Sequence, residues 1–379
     1  MVLASSLGLL SSREFVRDLA WFAEQLVMTD MTPQFFDDAD KLCAACRERP
    51  AFFAPDKVGA DASEAAVAAT RAAWAAHLRE RYTPRVVEFI DTGVGQQKQA
   101  CVAVLRPTAA AGLPVEKPLV LVLWRGSKAA TDYLRTDTTQ SQRVRVLDSA
   151  ETRWVWKAAA EPSATCGLLR AYAGGDGDGD GGDADARAPR GRVAARVEEL
   201  LAELGGDAHL VIAGHSLGGS LATLCAYDLL ERSAAARAAG ATLVTFGEPR
   251  FFTAGFRAAF AAHERAGRVA ALRVLVDGDF IPRYPPRWLG ASHGVGRRLV
   301  LHPDPNAERA VTYYADADDG GWGDPGTRVL FSPTAHTSHA LLLGGLDARA
   351  GGERARRREP CPAEWPAELE AGRKPEQFI

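Results

Sequence analysis

Along residues 12–29, SREFVRDLAWFAEQLVMT, the apolar positions Phe15, Leu19, Phe22 and Leu26 recur every three or four residues, which predicts a helix with one buried face. Residues 63–82, SEAAVAATRAAWAAHLRERY, are rich in alanine and predict a second helix. From residue 85 the rhythm changes. RVVEFID (85–91), QACVAVL (99–105) and PLVLVLW (118–124) are apolar runs of strand length. HLVIAG from His209, ATLVTFG from Ala241 and ALRVLVDG from Ala271 follow, with helical material between them. This alternation predicts an α/β fold: a central, mostly parallel sheet after an antiparallel opening, with helices on both faces and an N-terminal helical extension.

Texture divides the chain into an N-terminal helical region packed on the main domain (1–82), an α/β domain (83–346) and a charged tail (347–379). GGDGDGDGGDADAR (174–187) interrupts the middle segment. Asp176, Asp178, Asp180 and Gly181 fit the first half of an EF-hand loop, but its twelfth position is Arg187, where calcium needs a bidentate Glu. The insert is therefore expected to be a solvated linker.

Composition removes several function classes. The 379 residues are 47% hydrophobic and 25% charged, with a formal net charge of −3, so no basic footprint for nucleic acid exists. No apolar run reaches the roughly 18 residues that a membrane span requires. The opening MVLASSLGLLSS is apolar, but its first basic residue, Arg13, comes after the apolar run rather than before it. A leaderless, cytoplasmic chain is the expectation. Of six cysteines only Cys43 and Cys46 lie close together, and a lone CxxC after a helical pattern is weak evidence for zinc. Free thiols are expected, with Cys225 in the core, and neither a metal nor a cofactor.

The chemistry concentrates at HLVIAGHSLGGSLATLCAYDLL, which begins at His209. A predicted helix, RVAARVEELLAEL, precedes the strand, and another starts directly after the serine. Strand, sharp turn with serine, then helix is the setting of a nucleophile elbow. Gly214 and Gly218 let backbones pack closely around the turn. Ser216 then projects from the carboxyl end of the strand, and the backbone N–H of Leu217 faces developing negative charge. A serine hydroxyl needs a base, and the base needs an orienting carboxylate. RVLVDGDFIPRYPP offers Asp277 and Asp279 after a later strand, and both qualify on chemistry.

IAGHSLGGSLA, TFGEPR (245–250) and RVLVDGDFIPRYPP together resemble the class-three lipases, the fungal-type triacylglycerol lipase family, with an α/β-hydrolase fold. The resemblance implies that Asp279, two residues before Ile281-Pro282, is the catalytic aspartate and Asp277 a turn residue. LVLWRGSKAATDYLRTD is similar to the family's RG[ST] segment, with Tyr133 in place of the usual Trp. By that match Ser127 supplies the other half of an oxyanion hole beside Leu217. Position agrees, since RGS follows an apolar strand at the sheet's carboxyl edge. CGLLRAYA (166–173) resembles another family segment but lacks its His and Phe.

His293, His302, His336 and His339 follow Asp279. SPTAHTSHALLLGGL offers His336 and His339 as the base. Spacing to the following ALLLG selects His339, as in fungal members, with His336 as the plant-like alternative. His215 is expected to be a supporting hydrogen-bond partner. The implied activity is hydrolysis of acylglycerols or related lipid esters, possible at a lipid–water interface, through Ser216, Asp279 and His339. KAATDYLRTDTTQSQ would make at best a modest lid. Another serine hydrolase on the same fold, and an inactive lipid-binding or regulatory protein, are the competing readings.

Overall fold

Chain order and spatial order coincide across the central sheet of the computed structural model, which describes residues 2–23, 77–91, 98–126, 143–145, 152–153, 162–173, 188–284, 294–302 and 311–314, with His336, His339 and Leu343. β1 (Tyr82–Asp91) pairs antiparallel with β2 (Lys98–Pro107), and β2 antiparallel with β3 (Leu119–Trp124). β4 (Arg143–Arg145), β5 (Thr152–Arg153) and β6 (Ser163–Thr165) form a separate small antiparallel sheet in the order β5-β4-β6. β7 (His209–His215), β8 (Ala241–Phe246), β9 (Val269–Val276) and β10 (Arg297–Leu301) continue the main sheet in parallel from β3. β11 (Val311–Tyr314) closes it antiparallel to β10. The sheet is mostly parallel and flanked by helices, the expected α/β-hydrolase arrangement.

Each parallel step moves one strand in the same direction. Right-handed crossovers then put every connecting helix on one face. α4 (Pro189–Glu203), α5 (Leu217–Arg232) and α7 (Ala254–Arg265) lie there, as does α3 (Cys166–Ala173), while the short α6 (Ala234–Ala239) follows α5. Val193, Val197 and Leu200 of α4, Leu221 and Leu224 of α5, and Phe256 and Phe260 of α7 share a core with Val120, Val122, Trp124, Leu210 and Ile212. Alternate residues of the same strands point the other way.

That second face is covered from the start of the chain. α1 (Val2–Ser11) and α2 (Arg13–Trp21) bring Leu9, Leu10, Phe15, Leu19 and Phe22 against Leu121, Leu123, Val211, Ala213, Val244 and Phe246. The apolar opening of the chain is thus a buried helix, one element earlier than its periodicity suggested. Both faces being covered, β3 is buried along its whole length, which explains its unbroken LVLVLW. Ser12 caps α2 by accepting the Phe15 N–H. Ser6 donates its hydroxyl to the Ala241 carbonyl at 2.9 Å. Asp18 of α2 is 1% exposed and accepts from Arg81 Nε at 2.7 Å and the Tyr82 hydroxyl at 2.8 Å, tying the helix to the start of β1. Cys101 and Cys225 are both buried. Burial pushes the Cys225 thiol up to about 12, so it behaves as a core side chain. Among the described residues no helix is long and apolar enough to cross a membrane.

Candidate active site

β7 ends at His215 and α5 begins at Leu217, leaving Ser216 alone in the turn. Its backbone sits at φ 57°, ψ −129°, and among the described residues it alone of the non-glycines has a positive φ. Such a conformation costs on the order of 1–3 kcal/mol and persists only where its surroundings enforce it. The Ser216 N–H donates to the Phe246 carbonyl at 2.8 Å, and the Gly219 N–H to the Ser216 carbonyl at 2.9 Å. A Cβ on Gly214 would lie 2.1 Å from the Gly218 oxygen, and one on Gly218 would lie 2.2 Å from the Trp124 oxygen. The motif therefore needs both glycines because backbone meets backbone there. The Ser216 side chain does not cap α5, and the serine is half-buried. The Leu217 N–H opens α5 at the positive end of the helix dipole, ahead of the first hydrogen bond of the turn.

Asp279 follows β9 and is 2% exposed. Its Oδ1 accepts the Ile281 N–H at 2.9 Å, and its Oδ2 lies 2.7 Å from His336 Nδ1. A carboxylate can only accept, so Nδ1 carries the proton and Nε2 is left as the basic nitrogen. The expected partner, His339, does not make this bond. It is fully buried, with its ring edge-on to Phe246 at 5.8 Å and to His215 at 5.7 Å. Positions 336, 339 and 343 are all helical, and spacings of three and four put them on one helix face. His336 is the half-exposed member, His339 lies beside Phe246, and Leu343 is in the core. The histidine beside Asp279 is thus His336, one helical turn before His339.

Asp277 is occupied elsewhere. His302 Nδ1 lies 3.3 Å from its Oδ2, and Arg283 lies 3.5 Å from its Oδ1. The His302 hydrogen bond, aided by the charges of His302 and Arg283, holds the Asp277 carboxyl below its usual value.

Ser216 and His336 converge on the end of β8. Phe246 accepts the serine N–H, and the next residue, Gly247, faces the histidine ring: a Cβ there would come 2.9 Å from His336 Nδ1 and Cε1. Gly247 is also at φ +59°. The rest of TFGEPR braces this point. Glu248 is fully buried and accepts from Thr223 at 2.7 Å, Thr245 at 2.8 Å and Arg273 Nε at 3.0 Å. Burial raises the Glu248 carboxyl, and Arg273 and the two threonines act against that rise. Arg250 donates to the Arg283 carbonyl and its N–H to the Tyr284 carbonyl, holding the segment just after Asp279. TFGEPR stood out in the sequence as a pattern, but no local signal assigned these duties. A glutamate beside an apolar strand does hint at a distant arginine, and Arg273 inside β9 is that residue.

Ser127, His293, Tyr133, the lid candidate and the insert at 174–187 lie outside the described residues, as do Cys43 and Cys46. β3 does end against the first turn of α5, because Gly218 is pressed on Trp124 and Arg125. Among the described residues no group of three His, Cys, Asp or Glu side chains could hold a metal ion.

Comparison with known proteins follows this geometry. Residues 121–288 match the family described as lipase (class 3). The chain is 33% identical over 181 residues to phospholipase A1-II 7 of Oryza sativa subsp. indica, covering 44% of this chain and 41% of that protein. It is 28% identical over 110 residues to a lipase of Rhizomucor miehei, covering 29% of each. The chain spans between 24% and 41% of the length of the first curated relatives it matches. A mono- and diacylglycerol lipase from Aspergillus oryzae shares 19% identity at a TM-score of 0.46, covering 71% of this chain and 83% of that one.

Proposed function

Because the chain belongs to the class 3 lipase family through residues 121–288, we propose that it hydrolyses carboxylic esters of lipids, acylglycerols or glycerophospholipids, through Ser216, His336 and Asp279. The observation that carries the reading is the 2.7 Å bond between Asp279 Oδ2 and His336 Nδ1 beside a strained serine elbow. His336 Nε2 takes the Ser216 proton as Oγ attacks the ester carbonyl carbon. Asp279 keeps Nδ1 protonated and stabilises the imidazolium that results. The N–H of Leu217 and that of Ser127 hold the oxyanion; losing one such donor costs about 3 kcal/mol in other hydrolases. The imidazolium then protonates the departing alcohol. Water, deprotonated by His336, attacks the acyl-serine, and the acid leaves as Ser216 recovers its proton. No other group needs to enter this cycle.

Ser216→Ala tests it. Ester hydrolysis falls by at least about 10³-fold while the unfolding temperature stays near that of wild type. A fluorophosphonate probe labels wild type and not the variant. Residual activity within tenfold of wild type would remove Ser216 as the nucleophile, and a wild type inert to the probe would leave an inactive lipase-like protein. A panel of triacylglycerol, monoacylglycerol and phospholipid vesicles, assayed below and above solubility, assigns the head group.

A further inference from the structure

We infer that His215, the residue before the nucleophile, is a positioning residue for the general base and acts through the main chain of His336. The inference deepens the proposed function and rests on it for the identity of the base. His215 Nε2 lies 2.5 Å from the His336 carbonyl oxygen. A carbonyl only accepts, so Nε2 carries the proton and donates. The two rings lie against each other, with centroids 4.6 Å apart and planes at 42°. His215 is 1% exposed, so water does not compete for the bond.

The need for such a contact follows from what Asp279 alone can do. A single bond at Nδ1 holds one edge of the imidazole but leaves its Cα free to swing about that contact. A second attachment, at the backbone of the same residue, removes that freedom and aims Nε2. His215 supplies it from the centre of the sheet, where it is paired in register with Phe246. Alternation along β7 continues the row of Val211 and Ala213 to His215, so its ring points to the face that carries Phe246, His339 and Leu343. Ser216 is fixed one residue later through its N–H bond to the Phe246 carbonyl. One dipeptide therefore sets both partners of the proton transfer: the His215 side chain sets the base and the Ser216 main chain sets the nucleophile. A cationic donor at 215 would oppose the charge His336 acquires, which is why an imidazole suits the place and an ammonium does not.

The experiment compares His215→Phe, which keeps a ring but removes the donor, with His215→Gln, which restores an uncharged N–H. Wild type and Ser216→Ala run in parallel on a soluble p-nitrophenyl ester, and the His336 tautomer is read by side-chain nitrogen NMR. The expected result for His215→Phe is a kcat lower by about 10–100-fold with KM within about twofold, and His215→Gln within about threefold of wild type. The His336 signal shifts from one tautomer to an average in the Phe variant and returns in the Gln variant. If His215→Phe does not fold, His215→Asn, whose donor falls short of the carbonyl, takes its place. A removed donor that leaves kcat and the His336 tautomer unchanged overturns the inference, as does equal impairment of Phe and Gln variants. If wild type and Ser216→Ala have the same activity, the hydrolase reading fails instead, and the NMR comparison still decides the positioning role.

Discussion

Two histidines three residues apart separate into different jobs. His336 meets Asp279, and His339 meets Phe246. The resemblance favoured His339, yet a spacing of three puts both on the same helix face. What tells them apart is the height of that helix against the sheet, which no local pattern encodes. The sharp turn at Ser216 was legible because glycines must stand two residues to either side of it, and Asp279 stood out from Asp277 only through the resemblance of the segment that leads to Ile281-Pro282. On the proposed mechanism His336→Ala lowers kcat by about 10³-fold or more with little change in unfolding temperature. His339→Ala should act mainly on stability, lowering it by about 2 kcal/mol through lost packing. Parallel kinetics and thermal melts decide the ranking, and the reverse pattern would return the base to His339. His209 makes a second residue-scale prediction. Burial lowers it from its usual value to about 4 in the folded protein, where Nε2 meets the Thr242 hydroxyl at 2.8 Å. The unfolded chain binds that proton below about pH 6.5, so stability falls between pH 6.5 and 4 and levels off beneath. The loss amounts to about 3 kcal/mol, since one pKa unit is about 1.4 kcal/mol. In His209→Asn, urea midpoints should lose most of that slope; an unchanged slope would assign the acid sensitivity elsewhere.

Among the elements, strands were the more readable. Continuous apolar runs such as β3 and β7 announce a sheet buried on both faces. β1 and β2 emerged where their apolar runs placed them, with β1 starting three residues early at Tyr82. α1 escaped because ten residues that are apolar nearly all round show no periodicity. The closeness of β3, β7 and α5 yields a test at this scale. Gly218→Ala places a carbon 2.2 Å from the Trp124 carbonyl oxygen, so one element must move. The expected cost is about 3 kcal/mol or more, with activity lost even where the protein folds, because α5 carries the Leu217 N–H. Gly206→Ala is the control: φ is +75° but nothing lies within 4 Å, so the cost is about 1 kcal/mol with activity retained. Equal effects from the two substitutions would mean that the crossing backbones do not constrain the elbow.

For the whole molecule, the two faces of the sheet have different origins. One is closed by helices that follow directly from the parallel connections, and this half of the architecture was legible in the order of elements. The other is closed by α1, α2 and the segment bearing His336, which come from far apart in the chain. Periodicity cannot report such a meeting. Asp18 is its polar fastening. Asp18→Ala leaves Arg81 and the Tyr82 hydroxyl buried without their shared acceptor, and should cost about 3 kcal/mol in chemical denaturation. A loss below about 1 kcal/mol would show that apolar contact alone seats α2.

The bond from Ser6 to Ala241 joins residues 235 positions apart. A ribosome adding about 5–20 residues per second needs on the order of 10–50 s to travel that distance. Through that interval Leu9, Leu10 and Phe15 are synthesised but have no sheet to cover. Final compaction of this face waits for β8 and β9, so α1 and α2 find their place only after strands more than 200 residues downstream exist.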